Sequence, residues 1–299
     1  MKLTKYYIAA ISAFIIWGFF SLALKPLHHY PSLDILFYRV FLCVILMLII
    51  SLGFRKKTIS ETKTYFKSLS LKEKRNLTLL TIGGAMLLTA NWFIFIYVMN
   101  HISVKAASFA YLVCPIITTV FAYIILKDQL TKIQWGAVGL SIFSCVLLGY
   151  GHFQDVFYSL IVAATYALYL VIQKRNTQID KFLLLTIQLV ITAVVLLPFY
   201  PFYSGEIPTE ISFYVYLLII AIVFTIIPLF LNLYALKAVN SSTVGILLYI
   251  NPLINFFLAL FYYKEPISAL QILAYSLILI SIVIFNYKVL LYKKPVKIN

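Results

Sequence analysis

Residues 115–140, PIITTVFAYIILKDQLTKIQWGAVGL, return 137 positions later as 252–277, PLINFFLALFYYKEPISALQILAYSL. Pro115 falls on Pro252, Ala122 on Ala259, Lys127 on Lys264, Gln134 on Gln271, Ala137 on Ala274 and Leu140 on Leu277, and Asp128 meets Glu265 without a gap. The same shift pairs Tyr97 with Tyr234 and Ser144 with Ser281. Chance matching between two Leu/Ile-rich stretches favours apolar positions, yet several shared residues here are Pro, Lys, Tyr and Gln. A weaker correspondence at a shift of 149 sets Trp17 on Tyr166 and Lys25 on Lys174. The chain therefore reads as two related halves, 1–150 and 151–299.

Composition sets the solvent. The 299 residues are 63% hydrophobic and only 11% charged. A soluble domain carries about a quarter charged residues, so too few are present to cover a soluble surface. Apolar runs of spanning length fall at 6–24, 33–54, 77–98, 104–126, 133–150, 154–173, 182–202, 212–234, 242–263 and 268–290. Their polarity does not alternate with period two, which excludes an outer-membrane barrel pattern. A backbone in lipid must satisfy its hydrogen bonds internally, so these runs are predicted helices. The expected fold is all-α: a polytopic membrane protein with ten transmembrane helices. Lys2 and Lys5 before the first run resemble a signal peptide. The run is longer than a signal core and no small-x-small cleavage site follows, so it reads as a retained span.

The net charge of +15 then becomes a statement about topology. With the N-terminal side taken as inside, 20 of the 24 basic residues fall on that side, three fall outside (Lys25, Lys105, Lys264) and Arg39 lies within a span. Eight of the inside residues crowd into the connection 55–76. That bias predicts cytoplasmic termini in the plasma (inner) membrane. The basic connection reads as a topology determinant lying against anionic lipid, and no nucleic-acid partner is expected. Five spans per half is an odd number, so the second half is expected upside down relative to the first. Inverted repeats of this kind belong to secondary transporters, with the solute near the midplane between the halves.

Several motifs resemble the EamA-type proteins of the drug/metabolite transporter superfamily, and among them the RarD-like subgroup. They are Trp17-Gly18; Leu36-Phe37-Tyr38-Arg39; Asn91-Trp92; Ala107-Ser108-Phe109-Ala110-Tyr111 leading to Cys114-Pro115; and Leu126-Lys127-Asp128-Gln129-Leu130 with Gln134-Trp135. The second half adds Thr225, Pro228-Leu229, Gly245, Tyr249-Ile250, Pro252 and Lys264-Glu265-Pro266. The second-span pattern departs from the subgroup: Tyr38 stands where a His is usual, and Leu42-Cys43 where Trp-Ser is usual. The resemblance implies ten helices in two inverted five-helix repeats and a membrane permease, without fixing its solute.

Candidate site residues follow from polarity inside the spans. Arg39 is the one charged residue well within a run, and placing it there costs at least a few kcal/mol without a partner or a wet cavity. Arg does not deprotonate, which leaves two roles open: binding an anionic group of the solute, or anchoring to carbonyls or to Asp34. Asp34, at the outer end of the same span, is the candidate proton carrier. Trp17, Asn91, Trp92, Tyr111, Gln188, Asn232, Tyr249 and Asn251 complete the expected solute-binding set. A single amide reads more readily as interhelical glue, and the set gains weight as a cavity lining because the spans involved are repeat mates. Trp17 and Trp92 lie deeper than the headgroup belt that suits Tyr6, Tyr7 and Trp135. Pro115 and Pro252 each free a carbonyl in mid-helix and are candidate hinges or gate shapers.

The functional expectation is a secondary-active or facilitative transporter, an exporter of small organic metabolites or drug-like compounds working by alternating access. Its partners would be that solute, membrane lipids and a proton or counter-substrate. The competing classes are a membrane-embedded lipid-modifying enzyme and a non-transporting scaffold or receptor. An enzyme would need paired carboxylates, a His cluster or an activated nucleophile, and no such motif stands in the sequence. No cofactor is expected. His28, His29, His101 and His152 have no metal-ligand spacing, and Cys43, Cys114 and Cys145 sit inside spans as small apolar packers.

Overall fold

The computed structural model describes residues 4–27, 29–101, 104–150, 153–176, 179–262, 264 and 268–287. His28, His152, Glu265, Pro266, Lys2 and the basic residues from Lys288 onward lie outside them, as do the side chains of His101, Lys105, Ala107, Ser108 and Asp155. Among the described residues the chain is helical and no strand occurs. The helices are α1 (Thr4–Gly18), α2 (Phe20–Leu24), α3 (Ser32–Phe54), α4 (Lys56–Ser68), α5 (Leu71–His101), α6 (Val104–Phe121), α7 (Lys132–Gly149) and α8 (Phe153–Arg175). After them come α9 (Lys181–Leu196), α10 (Tyr200–Tyr203), α11 (Ile211–Ala221), α12 (Ile227–Leu236), α13 (Ser241–Leu247), α14 (Ile250–Phe257) and α15 (Ala269–Phe285).

Seven of these stretches are long and apolar enough to cross a membrane. The pair formed by Thr4–Gly18 and Phe20–Leu27, bent by 40°, makes an eighth if taken as one span. Ser241–Ile254 and Ala269–Phe285 are shorter apolar helices. The bundle is apolar outside as well as inside: Ile45, Ile49, Leu52, Ile124, Phe143 and Val146 are all exposed. That surface suits lipid tails and would be a liability in water.

Local chemistry sets the helix starts. Thr131 accepts from the Gln134 N–H while the Gln134 side chain accepts from the Thr131 N–H, a reciprocal cap that opens α7. Ser268 and Gln271 make the same cap at the start of α15. Ser70 and Glu73 bond reciprocally where α5 begins, and Asp180 accepts from Leu183 N at the start of α9. The basic connection is itself a helix, α4, with no buried residue. The sequence reading of 55–76 as a basic connection assigns it no secondary structure.

The 137-residue shift recurs in backbone geometry. Five-residue π-helical turns end both matched spans, at Ala122–Leu126 and Leu258–Tyr262. Lys127 directly after the first and Lys264 two residues after the second have positive φ, 57° and 54°. The two reciprocal caps sit at the same shift. Helices α7 and α15 then pack together: Ser141 Oγ lies 2.9 Å from Ser281 Oγ, and Ser144 Oγ donates to Ala274 O at 2.7 Å.

Side-chain ties fasten both ends of the bundle. At the basic end Arg55 pairs with Asp180 at 3.2 Å, and Ser242 donates to Asp128 at 2.8 Å. Lys174 donates to the carbonyls of Leu236 and Val239, and Arg175 to that of Ile125, each 2.7–2.9 Å away. Cations belong at such helix C-termini, where unpaired carbonyls concentrate negative charge. At the opposite end Asp34 accepts from Gly205 N at 3.0 Å, and the hydroxyls of Tyr38 and Tyr200 are 3.1 Å apart.

Candidate solute site

Arg39 projects from α3 over the face of Trp92 on α5, with Cζ 4.6 Å from the ring centroid. A desolvated guanidinium over an indole gains about 2 kcal/mol, which offsets part of the cost of its burial. Its Nε is enclosed with no hydrogen-bond partner, and among the described residues no carboxylate pairs with it. Asp34, one of the two anchors that sequence left open, is engaged by Gly205 N through both oxygens. Cys43, one turn further along α3, and Tyr111 of α6 lie within electrostatic reach of the guanidinium.

Aromatic rings extend inward from this cation. Tyr111 packs against Phe95 at 5.5 Å and faces Tyr166 of α8. Tyr166 meets Trp17 edge to face at 6.2 Å, stacks on Tyr169 at 5.8 Å and accepts from Asn232 Nδ2 at 3.2 Å. Asn232 Oδ1 and the Tyr169 hydroxyl are buried without partners among the described residues. Trp17, Tyr111 and Asn232 thus come together around Tyr166, and Tyr111 connects them to Arg39 over Trp92. Trp17 and Tyr166, paired by the weaker repeat, are in contact.

The remaining candidates fall elsewhere. Trp17 also spends its only donor structurally. Pro228 has no N–H to give the carbonyl of Phe224, and Trp17 Nε1 occupies that carbonyl at 2.9 Å. Asn91 Nδ2 donates to Val162 O at 2.9 Å and Thr165 Oγ1 at 3.0 Å, tying α5 to α8. Gln188 lies toward the basic end, beside Gly84. The Tyr249 hydroxyl is buried near Cys145 with no bonding partner, and Asn251 is buried and engaged. Pro252 cannot bond the Leu248 carbonyl, and the chain breaks there between α13 and α14. Pro115 stays within the continuous helix α6. A Cβ on Gly245 of α13 would lie 2.7 Å from Thr118 Cγ2 and 3.5 Å from Pro115 O, so the two proline-bearing spans meet at this glycine.

Sequence reasoning missed Tyr169 and Gln173 and used Tyr166 only as a repeat mate. Their spacing, i, i+3 and i+7 on α8, was the available signal. Two grooves, of about 360 and 280 Å³, are lined by Phe19 with Ile254–Tyr262 residues and by Lys5 with Phe230–Tyr234 residues. None of the site residues lines either. Among the described residues no group of His, Cys, Asp or Glu could hold a metal.

A bundle of apolar helices long enough to cross a bilayer, enclosing a cation that no carboxylate pairs among the described residues, is a multi-pass membrane protein. The EamA-like transporter family matches residues 4–150 and 155–287, and the chain belongs to that family. Similar proteins include the uncharacterized transporter YojE of Bacillus subtilis, 28% identical over 95% of this chain and 94% of its own. Protein RarD of Escherichia coli is 25% identical over 92% of each chain. A solved crystal structure superposes with a TM-score of 0.74 over 94% of this chain and 96% of that one, at 13% identity, a likeness of fold alone.

Proposed function

We propose that the chain is a secondary-active or facilitative permease, an exporter of small organic metabolites, with Arg39 as the point where a solute's polar group binds. The observation that carries this reading is Arg39 itself, held over Trp92 with Nε unpaired and Asp34 committed to Gly205. An unpaired intramembrane cation is costly, and an anionic solute group would complete it. Aromatic walls with a few placed polar groups suit a small amphipathic metabolite. Ten spans in two inverted halves, 1–150 and 151–299, are supported by the recurrence of caps and positive-φ lysines at a shift of 137, with a π-turn ending each of the two matched spans. The two shorter helices then count as the ninth and tenth spans. The basic end is the cytoplasmic face of the plasma membrane by the charge bias. Alternating access would release the ties at one end while those at the other hold, driven by the solute gradient, a proton or a counter-substrate.

Counterflow tests the reading. Purified protein in liposomes loaded with a mixed metabolite pool should exchange at least one labelled solute, and Arg39→Ala should reduce that exchange if the solute is anionic. Vesicles indistinguishable from protein-free controls across a broad pool would sink the proposal.

A further inference from the structure

Two glutamines outside the Arg39 cluster stand unpaired in the bundle. Gln173 of α8 and Gln188 of α9 are fully buried, and neither the nitrogen nor the oxygen of either amide has a hydrogen-bond partner among the described residues. Both amide nitrogens turn toward Gly84 of α5: a Cβ there would lie 2.6 Å from Gln188 Nε2 and closer still to Gln173 Nε2. A glycine at this position makes room for two side chains to converge. Leaving a buried polar group unmade costs about 1–3 kcal/mol, so two bare amides are an unusual arrangement for mere packing.

The surroundings are cationic. One turn toward the basic end, Asn176 of the α8 C-terminus donates to Thr81 at 3.1 Å, and its carbonyl receives the ammonium of Lys181. Lys181 is only 3% exposed, and that is the one hydrogen bond found for its three donors. Lys174 and Lys237 are close enough to repel it, while the neighbouring Asp180 is held by Arg55 and Leu183 N. Two convergent amide N–H groups, with an incompletely bonded ammonium further toward the basic end, can meet a planar anion once their amide oxygens turn aside.

We propose that the amides of Gln173 and Gln188 beside Gly84, with Lys181 nearer the basic end, form a cytoplasmic-side station that receives the carboxylate of the transported solute. The inference rests on the permease reading and narrows its solutes to carboxylates. The two cationic points then mark successive positions on one route, Lys181 near the basic end and Arg39 deeper.

The test reads access and charge rather than transport. In a Cys43→Ala/Cys114→Ala/Cys145→Ala background, Gln188→Cys is exposed, in inside-out vesicles, to two impermeant methanethiosulfonates. One carries a sulfonate and the other a trimethylammonium group. The sulfonate reagent should react several-fold faster, acetate or benzoate should slow it, and Lys181→Met should abolish the preference. Gln173→Cys serves as the second reporter if Gln188→Cys does not purify as a monodisperse protein. Absence of labelling, or equal rates with the two reagents, overturns the station, as would two amides that simply bond each other. Counterflow by the cysteine-free background is measured separately. Labelling without counterflow removes the permease reading, and counterflow without labelling removes only the station.

Discussion

Lys127 and Lys264 stand 137 residues apart, and among the described residues they are the only non-glycine positions with positive φ, at 57° and 54°. A left-handed conformation costs an L-residue about 1–2 kcal/mol, and glycine is its usual occupant. Lys127 closes the first π-helical turn: its own N–H bonds back to the Ala122 carbonyl, which the Asp128 N–H also reaches at 3.2 Å, and Lys264 lies two residues past the end of the second turn. Substitution should therefore follow backbone preference. Lys127→Gly should leave the thermal midpoint in detergent unchanged or raise it, whereas Lys127→Val should lower stability by about 1–2 kcal/mol. Equal midpoints for the two variants would show that the conformation is not a constraint.

The Arg39–Trp92 contact predicts a graded series. Trp92→Phe keeps a weaker ring face beneath the guanidinium, and Trp92→Leu keeps none. Counterflow of the solute found for the wild type should fall several-fold in Trp92→Leu and less in Trp92→Phe. Identical loss in both would point to shape instead of cation–ring attraction.

Gly245 and Gly139 should answer oppositely to alanine. A Cβ at Gly245 would press on Thr118 at 2.7 Å, so Gly245→Ala should cost about 1–3 kcal/mol as neighbouring spans shift. Nothing lies within 4 Å of a Cβ at Gly139 in α7, where alanine should add up to about 1 kcal/mol of helix stability. Thermal unfolding of the two purified variants decides the matter.

Asp34 separates a clasp from a proton carrier. Its carboxylate receives Gly205 N, so Asp34→Ala should cost about 1–3 kcal/mol, and Asp34→Asn, which keeps one acceptor, less. If Asp34 also carries the proton, Asp34→Asn should transport at a rate indifferent to an imposed pH gradient. A gradient response surviving in that variant would leave Asp34 the clasp alone.

Span positions were readable because apolar length and the placement of lysines vary along one dimension. The caps at Thr131 and Ser268 were a local signal too, a Thr or Ser three residues before a Gln, though the apolar runs alone set the expected starts at 133 and 268. The interruptions were less so. The spans read as 6–24 and 242–263 break near Gly18 and at Leu248–Tyr249, and the Pro252 signal gives a break without saying where the chain turns. The site was half legible. Arg39, Trp92 and Tyr111 stand out by type, but which helix faces which is a three-dimensional fact. Asn91 and Trp17 also tie helices together, and their partners there, Val162 O and Phe224 O, are backbone atoms that a sequence motif cannot show. Gln173 was hidden at the end of a span beside Lys174, where polarity reads as a boundary.

The third π-turn, Ile222–Ile226, lies between α11 and α12 in the middle of a span. Such a turn holds one residue more than an α-helix would, and one residue is about 100° of rotation. Everything after Ile226 is therefore turned through that angle relative to Phe213 and Leu217. Asn232 points at Tyr166 only in the rotated phase, so deleting one residue from this turn would swing the amide off the α8 face without altering any residue of the site. The aim of the amide is thus set by chain length six residues away, a kind of control that no inventory of lining residues would reveal.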